Sequence, residues 1–247
     1  MILYYIKMIL SDFCSNDLTY MNTYLNDYDL NSDEFLNLIN QNNGIIAGSF
    51  PLQILLEEKY EGSDIDIFFK DIIYNTGTAP YNLFPEIEKY LYTKFHVNHK
   101  VGEYIINDIL RSKKYVLPKI TINIIYTSVE PLDFIFNSFD FSMCQTFIMN
   151  NILYYNNMTL NKIGYLVNPI TIPKKLNYYH KEINNYDIVI VNNNTIQNNL
   201  YPLNIYEHLK QKLEYRTKKY INRGFKIINE CDVSNNMDNT LKFKFID

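Results

Sequence analysis

Asp64 and Asp66 stand two residues apart in Asp-Ile-Asp-Ile-Phe-Phe, a segment whose alternation predicts a strand. On a strand, residues i and i+2 point to one face, so the two carboxylates share a side while Ile65 and Ile67 take the other. Like charges at that spacing repel, and a divalent cation relieves the repulsion. Hard oxygen donors of this kind suit Mg²⁺ or Mn²⁺ held against a substrate's phosphates. Upstream, Gly48-Ser49 follows the apolar run Ile45-Ile46-Ala47 and precedes Pro51, a residue suited to the first turn of a helix. Leu52, Leu55 and Leu56 then recur at helical spacing, and Gly62-Ser63 ends the helix. Backbone N–H groups at a helix N-terminus can hold a phosphate, and glycine lets it approach closely. The stretch from Gly44 to Lys70 therefore reads strand, tight turn, helix, loop, strand. Taken singly, each feature has a plainer reading: Asp64 and Asp66 as the solvated face of an edge strand, Ser63 as a turn residue.

Gly48-Ser49 at a strand–helix turn, followed by Asp64-x-Asp66 inside a hydrophobic strand, resembles the signature of the nucleotidyltransferase superfamily, the DNA polymerase beta-like fold. The resemblance implies an α/β (α+β) fold, a short mixed sheet flanked by helices with a smaller C-terminal helical portion. It implies that Gly48 and Ser49 grip a nucleoside triphosphate and that Asp64 and Asp66 bind Mg²⁺ or Mn²⁺. It also implies a third acidic residue on a later strand. The expected reaction moves a nucleoside monophosphate onto a hydroxyl acceptor, which in this superfamily is RNA, a protein or a small molecule.

The third acid has several candidates. The strand expected over Ile120–Tyr126 carries Ile122-Asn123-Ile124, an amide where a carboxylate would complete the pattern. Asn123 can offer a carbonyl oxygen to a metal, but it brings no charge and cannot take a proton from an attacking hydroxyl. Leu132-Asp133-Phe134 and Phe139-Asp140-Phe141 both fit hydrophobic–acid–hydrophobic. Phe139–Cys144 alternates as a strand would, with Asp140, Ser142 and Cys144 on one face. Asp140 is taken as the third carboxylate, with a structural role, paired to an arginine or to backbone amides, equally open. If Asp140 enters the site the triad is complete; if Asn123 holds the third position the usual base is lost, and the alternative is a catalytically silent member of the fold that binds a nucleotide, RNA or a partner protein.

Pro202–Asn222 reads as one long helix with Leu203, Tyr206, Leu209, Leu213 and Tyr220 as its apolar stripe. Lys210, Lys212, Arg216, Lys218, Lys219 and Arg223 make it basic, either as a wall facing phosphates or as a solvated face favoured by the helix dipole. Arg223, beside Gly224, is the residue assigned to the nucleotide. Phe139–Cys144 together with Arg216-Thr217-Lys218-Lys219-Tyr220 and Arg223-Gly224-Phe225 also resembles nucleotidyltransferase-like proteins of large DNA viruses. The expected organisation is a nucleotidyltransferase-like core with a helical lead-in over 1–148, a mainly helical portion over 149–230 and a polar tail over 231–247.

The remaining elements frame this site. Asn31 or Ser32 caps a helix with Asp33 and Glu34 in its first turn, and Phe35, Leu36, Leu38 and Ile39 form its apolar face. Pro85–Phe95 reads as a helix, Glu103–Leu110 as a strand, and Arg111-Ser112-Lys113-Lys114 as the basic connection to the next. Asn150-Asn151 turns a hairpin into Ile152–Tyr155, Met158–Tyr165 reads as a short helix, and Ile170–Ile172 and Tyr186–Val191 as extended pieces.

With 247 residues, 47% hydrophobic, the chain can bury one substantial core. A formal net charge of −4 excludes a globally basic nucleic-acid binder and leaves only local patches for that role. The 23 tyrosines, with abundant Asn and Ile, reflect AT-rich coding rather than function. Three scattered cysteines, Cys14, Cys144 and Cys231, form neither a disulfide framework nor a zinc ribbon, and they place the chain in a reducing, intracellular compartment, the cytoplasm or a virion. Met1–Leu10 is apolar but too short to span a bilayer and has no cleavage-site pattern, so no membrane partner is expected.

Overall fold

A computed structural model describes residues 14–16, 19–71, 85–101, 108–167 and 200–228. The expected extended pieces at 170–172 and 186–191 and the tail over 231–247 lie outside them, as do the N-terminal apolar run and most of the strand expected over 103–110. Among the described residues no helix is long and apolar enough to cross a membrane.

Among the described residues the central feature is a mixed sheet of eight strands, several of them only two to four residues long. In chain order its strands are β1 (Cys14–Asn16), β2 (Ile45–Ala47), β3 (Asp64–Lys70), β4 (Lys100–Val101), β5 (Ile109–Val116), β6 (Thr121–Thr127), β7 (Phe147–Met149) and β8 (Ile152–Tyr155). They lie side by side as β1-β8-β7-β2-β3-β6-β5-β4. Every neighbouring pair is antiparallel except β3 and β6, which run parallel at the centre. A second, two-stranded sheet pairs β9 (Ile163–Tyr165) with β10 (Lys226–Ile228) in parallel.

The period-two pattern of β3 and β6 sorts the two faces of the large sheet. Ile65, Ile67 and Phe69 with Ile122, Ile124 and Tyr126 form one core with helices α1 (Thr19–Asp27), α2 (Ser32–Gln41), α3 (Ser49–Leu56) and α4 (Pro85–Phe95). Asn31 caps α2, its side chain accepting from Glu34 N at 3.2 Å. Gly44 lets the end of α2 close onto the sheet, since a Cβ there would collide with the Phe69 ring and lie 2.8 Å from Ile39. On the opposite face Phe68 and Ile125 pack with Ile45, Ala47 and Phe147 under α5 (Pro131–Ser138). A third cluster, Leu52, Phe141, Met143, Tyr220 and Phe225, seats the long helix α7 (Leu200–Asn222) against α3 and a 3₁₀ turn at Ser142–Gln145. A short helix α6 (Asn157–Leu160) precedes β9.

The helices at 32–41, 49–56, 85–95 and 200–222 and the strands β2, β3 and β6 follow the sequence pattern, except that the helix expected to end at Gly62-Ser63 ends at Leu56, where Glu57 turns left-handed (φ 54°) and its N–H bonds back to the Gln53 and Ile54 carbonyls. Asn150 and Asn151 both have positive φ, 51° and 60°, as a tight two-residue hairpin turn requires. Other segments differ for identifiable reasons. Arg111–Lys114 lies inside β5 rather than between strands, because neighbouring elements supply counter-charges. Lys113 Nζ sits 2.7 Å from Glu88 of α4, and Arg111 Nε lies 3.1 Å from Asp71 with its guanidinium 4.1 Å above the Tyr126 ring. Leu132-Asp133-Phe134 is helical, within α5 started by Pro131. Phe139–Cys144 is not a strand: Ser142–Gln145 forms the 3₁₀ turn, so Asp140, Ser142 and Cys144 do not share a strand face. Met158–Tyr165 splits into the end of α6 and β9. The expected division at 148/149 falls within β7, and β8 extends the same sheet.

Candidate active site

β3 and β6 run parallel with Asp66 opposite Asn123 and Asp64 opposite Thr121. The register brings the Asn123 amide between the two carboxylates: its Nδ2 donates to Asp64 Oδ2 at 2.8 Å and to Asp66 Oδ1 at 2.7 Å. The amide has one orientation that works, because turning its oxygen toward two carboxylates would set three acceptors against one another. Asn123 is only 4% exposed, so it is a built part of the site. Of the third-position candidates read from the sequence, Asn123 is the one hydrogen-bonded to both Asp64 and Asp66.

β2 and β3 are antiparallel, with Ala47 opposite Asp66, so the chain leaves β2 directly beside the acid pair. The next residue, Gly48, has φ 91° and ψ −138°, a conformation essentially restricted to glycine. A Cβ there would lie 3.4 Å from Asp66 Oδ2. α3 begins at Ser49, which is buried, and the Ser49 Oγ is 2.8 Å from the Ser63 Oγ. The fully buried Gln53 donates to Ser63 Oγ at 2.8 Å and accepts from the Tyr60 backbone N–H at 2.7 Å. This chain of bonds ties the turn after β2 to the loop that delivers Asp64. Neither Gln53 nor Ser63 was singled out for the site by sequence; a glutamine inside an otherwise apolar helix was the signal that could have found the first.

A cavity of about 210 Å³ opens beside these residues. Gly48, Ser49, Asp64 and Asp66 form one side. Phe68, Ile125, Phe134 and Phe139 line an apolar part, where the Phe68, Phe134 and Phe139 rings pack with centroids 5.6–6.4 Å apart. α7 contributes Arg216, Lys219 and Tyr220. The helix therefore does present cations to the cavity, but they are Arg216 and Lys219. Arg223, assigned to the nucleotide from sequence, does not line the cavity; its guanidinium stacks 4.0 Å from the Tyr60 ring centre and 5.4 Å from that of Tyr220.

Asp140 lines the same cavity, yet its carboxylate pairs with the Arg216 guanidinium, and it is 8% exposed. Of the two roles open for it in the sequence, the observed contact is that of the strut. Beside it the Cys144 thiol donates to the Tyr220 hydroxyl at 3.1 Å. Burial pushes the thiol up to about 11 and the phenol well above its usual value, so this corner stays neutral at physiological pH. Burial, then the nearby Arg223, pulls Lys219 below the ordinary lysine value, while Asp64 pulls it back up.

Among the described residues no cluster of three or more His, Cys, Asp or Glu forms a metal cage. The donors present are two carboxylates that converge on one nitrogen and the Asn123 amide. Asp64 and Asp66 would hold a single divalent cation through hard carboxylate oxygens, and the cation would need further oxygen ligands from elsewhere. The third carboxylate lining the cavity, Asp140, is paired with Arg216 and is not among these donors.

No family model and no curated protein matches this chain. Solved structures to which it is similar include the Thermotoga maritima CCA-adding enzyme complexed with tRNA, at 13% identity and a TM-score of 0.45, covering 72% of this chain and 43% of that one. A CCA-adding enzyme in apo form II is similar at 14% identity and a TM-score of 0.44, covering 85% and 55%. A CCA-adding enzyme in complex with ATP is similar at 14% identity and a TM-score of 0.41, covering 66% and 40%. The chain thus spans about half the length of these structures or less.

Proposed function

We propose that this chain binds a nucleoside triphosphate with Mg²⁺ or Mn²⁺ and transfers its nucleotidyl group to a hydroxyl acceptor. One observation carries the reading. Asp64 and Asp66 converge on one point beside the Gly48 turn, and the cavity they border is faced by Lys219 and Arg216. An acid pair, a backbone turn open to close approach and a cationic wall are the groups a metal-bound triphosphate needs in one place.

Asp64 and Asp66 would hold the cation, which when bound neutralises phosphate charge and favours the alkoxide form of an acceptor hydroxyl. Gly48 keeps side-chain atoms away from the phosphates. Ser49 serves through the helix start it occupies, its hydroxyl being bonded to Ser63. Lys219 balances phosphate charge from the α7 side, and the Phe68–Phe134–Phe139 surface keeps water from the apolar part of the cavity. Asp140 and Arg223 act on the position of α7 rather than on the nucleotide. The acceptor belongs to one of the classes the superfamily resemblance admits: RNA, a protein or a small molecule.

The second reading, nucleotide binding without transfer, is favoured by Asn123, since a neutral amide cannot accept the acceptor's proton. The two share a site and part at the chemistry. Calorimetric titration of ATP, GTP, CTP and UTP, with Mg²⁺ and with EDTA, tests the site; metal-dependent binding lost in Asp64→Asn/Asp66→Asn is the expected result. Incubation with an NTP labelled at the α-phosphate, with cellular RNA and protein as acceptors, then tests transfer. Binding without any labelled product or released pyrophosphate selects the silent reading. A folded wild-type protein that binds no nucleotide refutes both.

A further inference from the structure

Two carboxylates on one strand face, with nothing between them, would repel. Here the protein provides its own counter-group. Asn123 Nδ2 reaches Asp64 at 2.8 Å and Asp66 at 2.7 Å, using both hydrogens of one NH₂. β6 fixes its position by the parallel register with β3, and burial at 4% exposure keeps it there. Lys219 adds a second favourable interaction with Asp64. A carboxylate at position 123 would do the reverse: it would add a third negative charge and make the site depend on a cation for its geometry.

We infer that Asn123 is a positioning residue that closes the acid pair to free metal ions, so that the divalent cation enters only as part of a metal–triphosphate complex. This rests on the metal–nucleotide reading of the site given above. A lone cation arriving at the site must displace two charge-assisted hydrogen bonds, and it gains only two carboxylates in return. A metal already held by a triphosphate brings its own ligands, and the phosphates gain Lys219 and the Gly48 turn at the same time. The order of loading is thus set by one side chain: nucleotide and metal together, never metal first.

Mn²⁺ binding followed by the electron paramagnetic resonance signal of free Mn²⁺, with thermal melting in parallel, reads this without any turnover. The full chain is titrated as wild type, Asn123→Asp and Asn123→Ala, each with and without a non-hydrolysable ATP analogue. Wild type alone is expected to leave Mn²⁺ free and its melting midpoint unmoved, and its midpoint is expected to rise with Mn²⁺ and the analogue together but not with the analogue in EDTA, the free-Mn²⁺ signal being read against a protein-free mixture of Mn²⁺ and analogue. Asn123→Asp binds Mn²⁺ without nucleotide at least about tenfold tighter than wild type, and its midpoint rises on adding the metal. Asn123→Ala, which removes the competing amide without adding charge, gains in the same direction and carries the test should the Asp variant not fold. Wild type that binds Mn²⁺ alone within about threefold of both variants overturns the inference and leaves the metal–nucleotide reading standing. Mn²⁺ bound by no variant, with or without the analogue, removes that reading and the inference with it.

Discussion

Replacing Asp140 distinguishes a charged ligand from a charged strut. Asp140 pairs with Arg216, and the two side chains are 9% and 44% exposed. Breaking a fully buried pair by removing one partner costs about 3–5 kcal/mol, and a fully exposed pair is worth about 0–1 kcal/mol. With one partner buried and the other half in water, Arg216→Met should cost about 2 kcal/mol, because it leaves the Asp140 carboxylate without its cation. For a urea slope of about 3 kcal/mol/M, that is a midpoint lower by about 0.7 M. Asp140→Asn keeps the shape and loses the charge, and it should cost about 1–2 kcal/mol. The double variant should recover part of the loss, giving a coupling of about 1 kcal/mol in a double-mutant cycle. Equilibrium urea unfolding of the four proteins measures this, and Mg²⁺-dependent ATP binding is read on the same samples. The strut predicts lost stability with metal-dependent binding retained at saturating nucleotide below the unfolding transition. An Asp140→Asn protein as stable as wild type but unable to bind ATP with Mg²⁺ would refute the reasoning and return Asp140 to the metal.

Gly48→Ala places a Cβ 3.4 Å from Asp66 Oδ2 at a φ of 91°. It should cost about 1–3 kcal/mol of stability and weaken ATP binding in the folded protein, checked by urea unfolding and calorimetry. Lys219→Met should weaken ATP binding by about tenfold with little change in stability, whereas Arg223→Met should lower stability through lost stacking on Tyr60 and leave ATP affinity within about twofold; calorimetry on both separates the cavity cation from the stacked one. The Cys144 thiol, pushed up to about 11, is protonated in the fold, so its contribution is complete below the unfolded thiol's value and is lost as pH rises through about 11. In a Cys14→Ser/Cys231→Ser background, iodoacetamide at pH 8 should therefore modify the urea-unfolded chain far faster than the native one, as followed by mass spectrometry.

What could be read in advance tracks how local the determinants are. β2, the Gly48 turn, α3 and β3 are specified within 27 residues, by a period-two run, a glycine that tolerates positive φ and leucines at helical spacing, and they fold in the order read, with α3 stopping at Leu56 rather than at Gly62-Ser63. The placement of Asp64 and Asp66 on one face follows from strand geometry alone. Phe139–Cys144 alternates as well as β3 does, yet it is a bend and a 3₁₀ turn, because Phe141 and Met143 pack against Leu52, Tyr220 and Phe225 instead of against a second face of the sheet. Arg111–Lys114 looks like a loop until Glu88 and Asp71, distant in sequence, are seen to meet its charges. Arg223 was the better sequence candidate only because glycine follows it. Which cation on a helix faces a cavity depends on how the helix is rotated, and here Tyr220, buried against Phe141 and Phe225, turns Arg216 and Lys219 inward.

Asn123 combines both kinds of information. Its residue type was visible, and an amide there brings no charge to the acid pair. Its role was not visible, since that depends on which strand pairs with β3 and in what register. With Asp66 opposite Asn123, the amide does more than fail to be an acid: it replaces the charge of a cation with two hydrogen bonds. The absence of a carboxylate at 123 and the bridging of the acid pair without a metal are then the same residue seen from two sides. An aspartate at 123 would supply a proton acceptor and, by the same charge, require a metal for the pair to stay together. If Asn123→Asp both raises Mn²⁺ affinity and starts nucleotidyl transfer in a protein that otherwise only binds, the wild-type chain is a binder whose chemistry is held back by one amide. If wild type transfers and the variant merely gains metal affinity, the two aspartates of β3 are sufficient for the reaction.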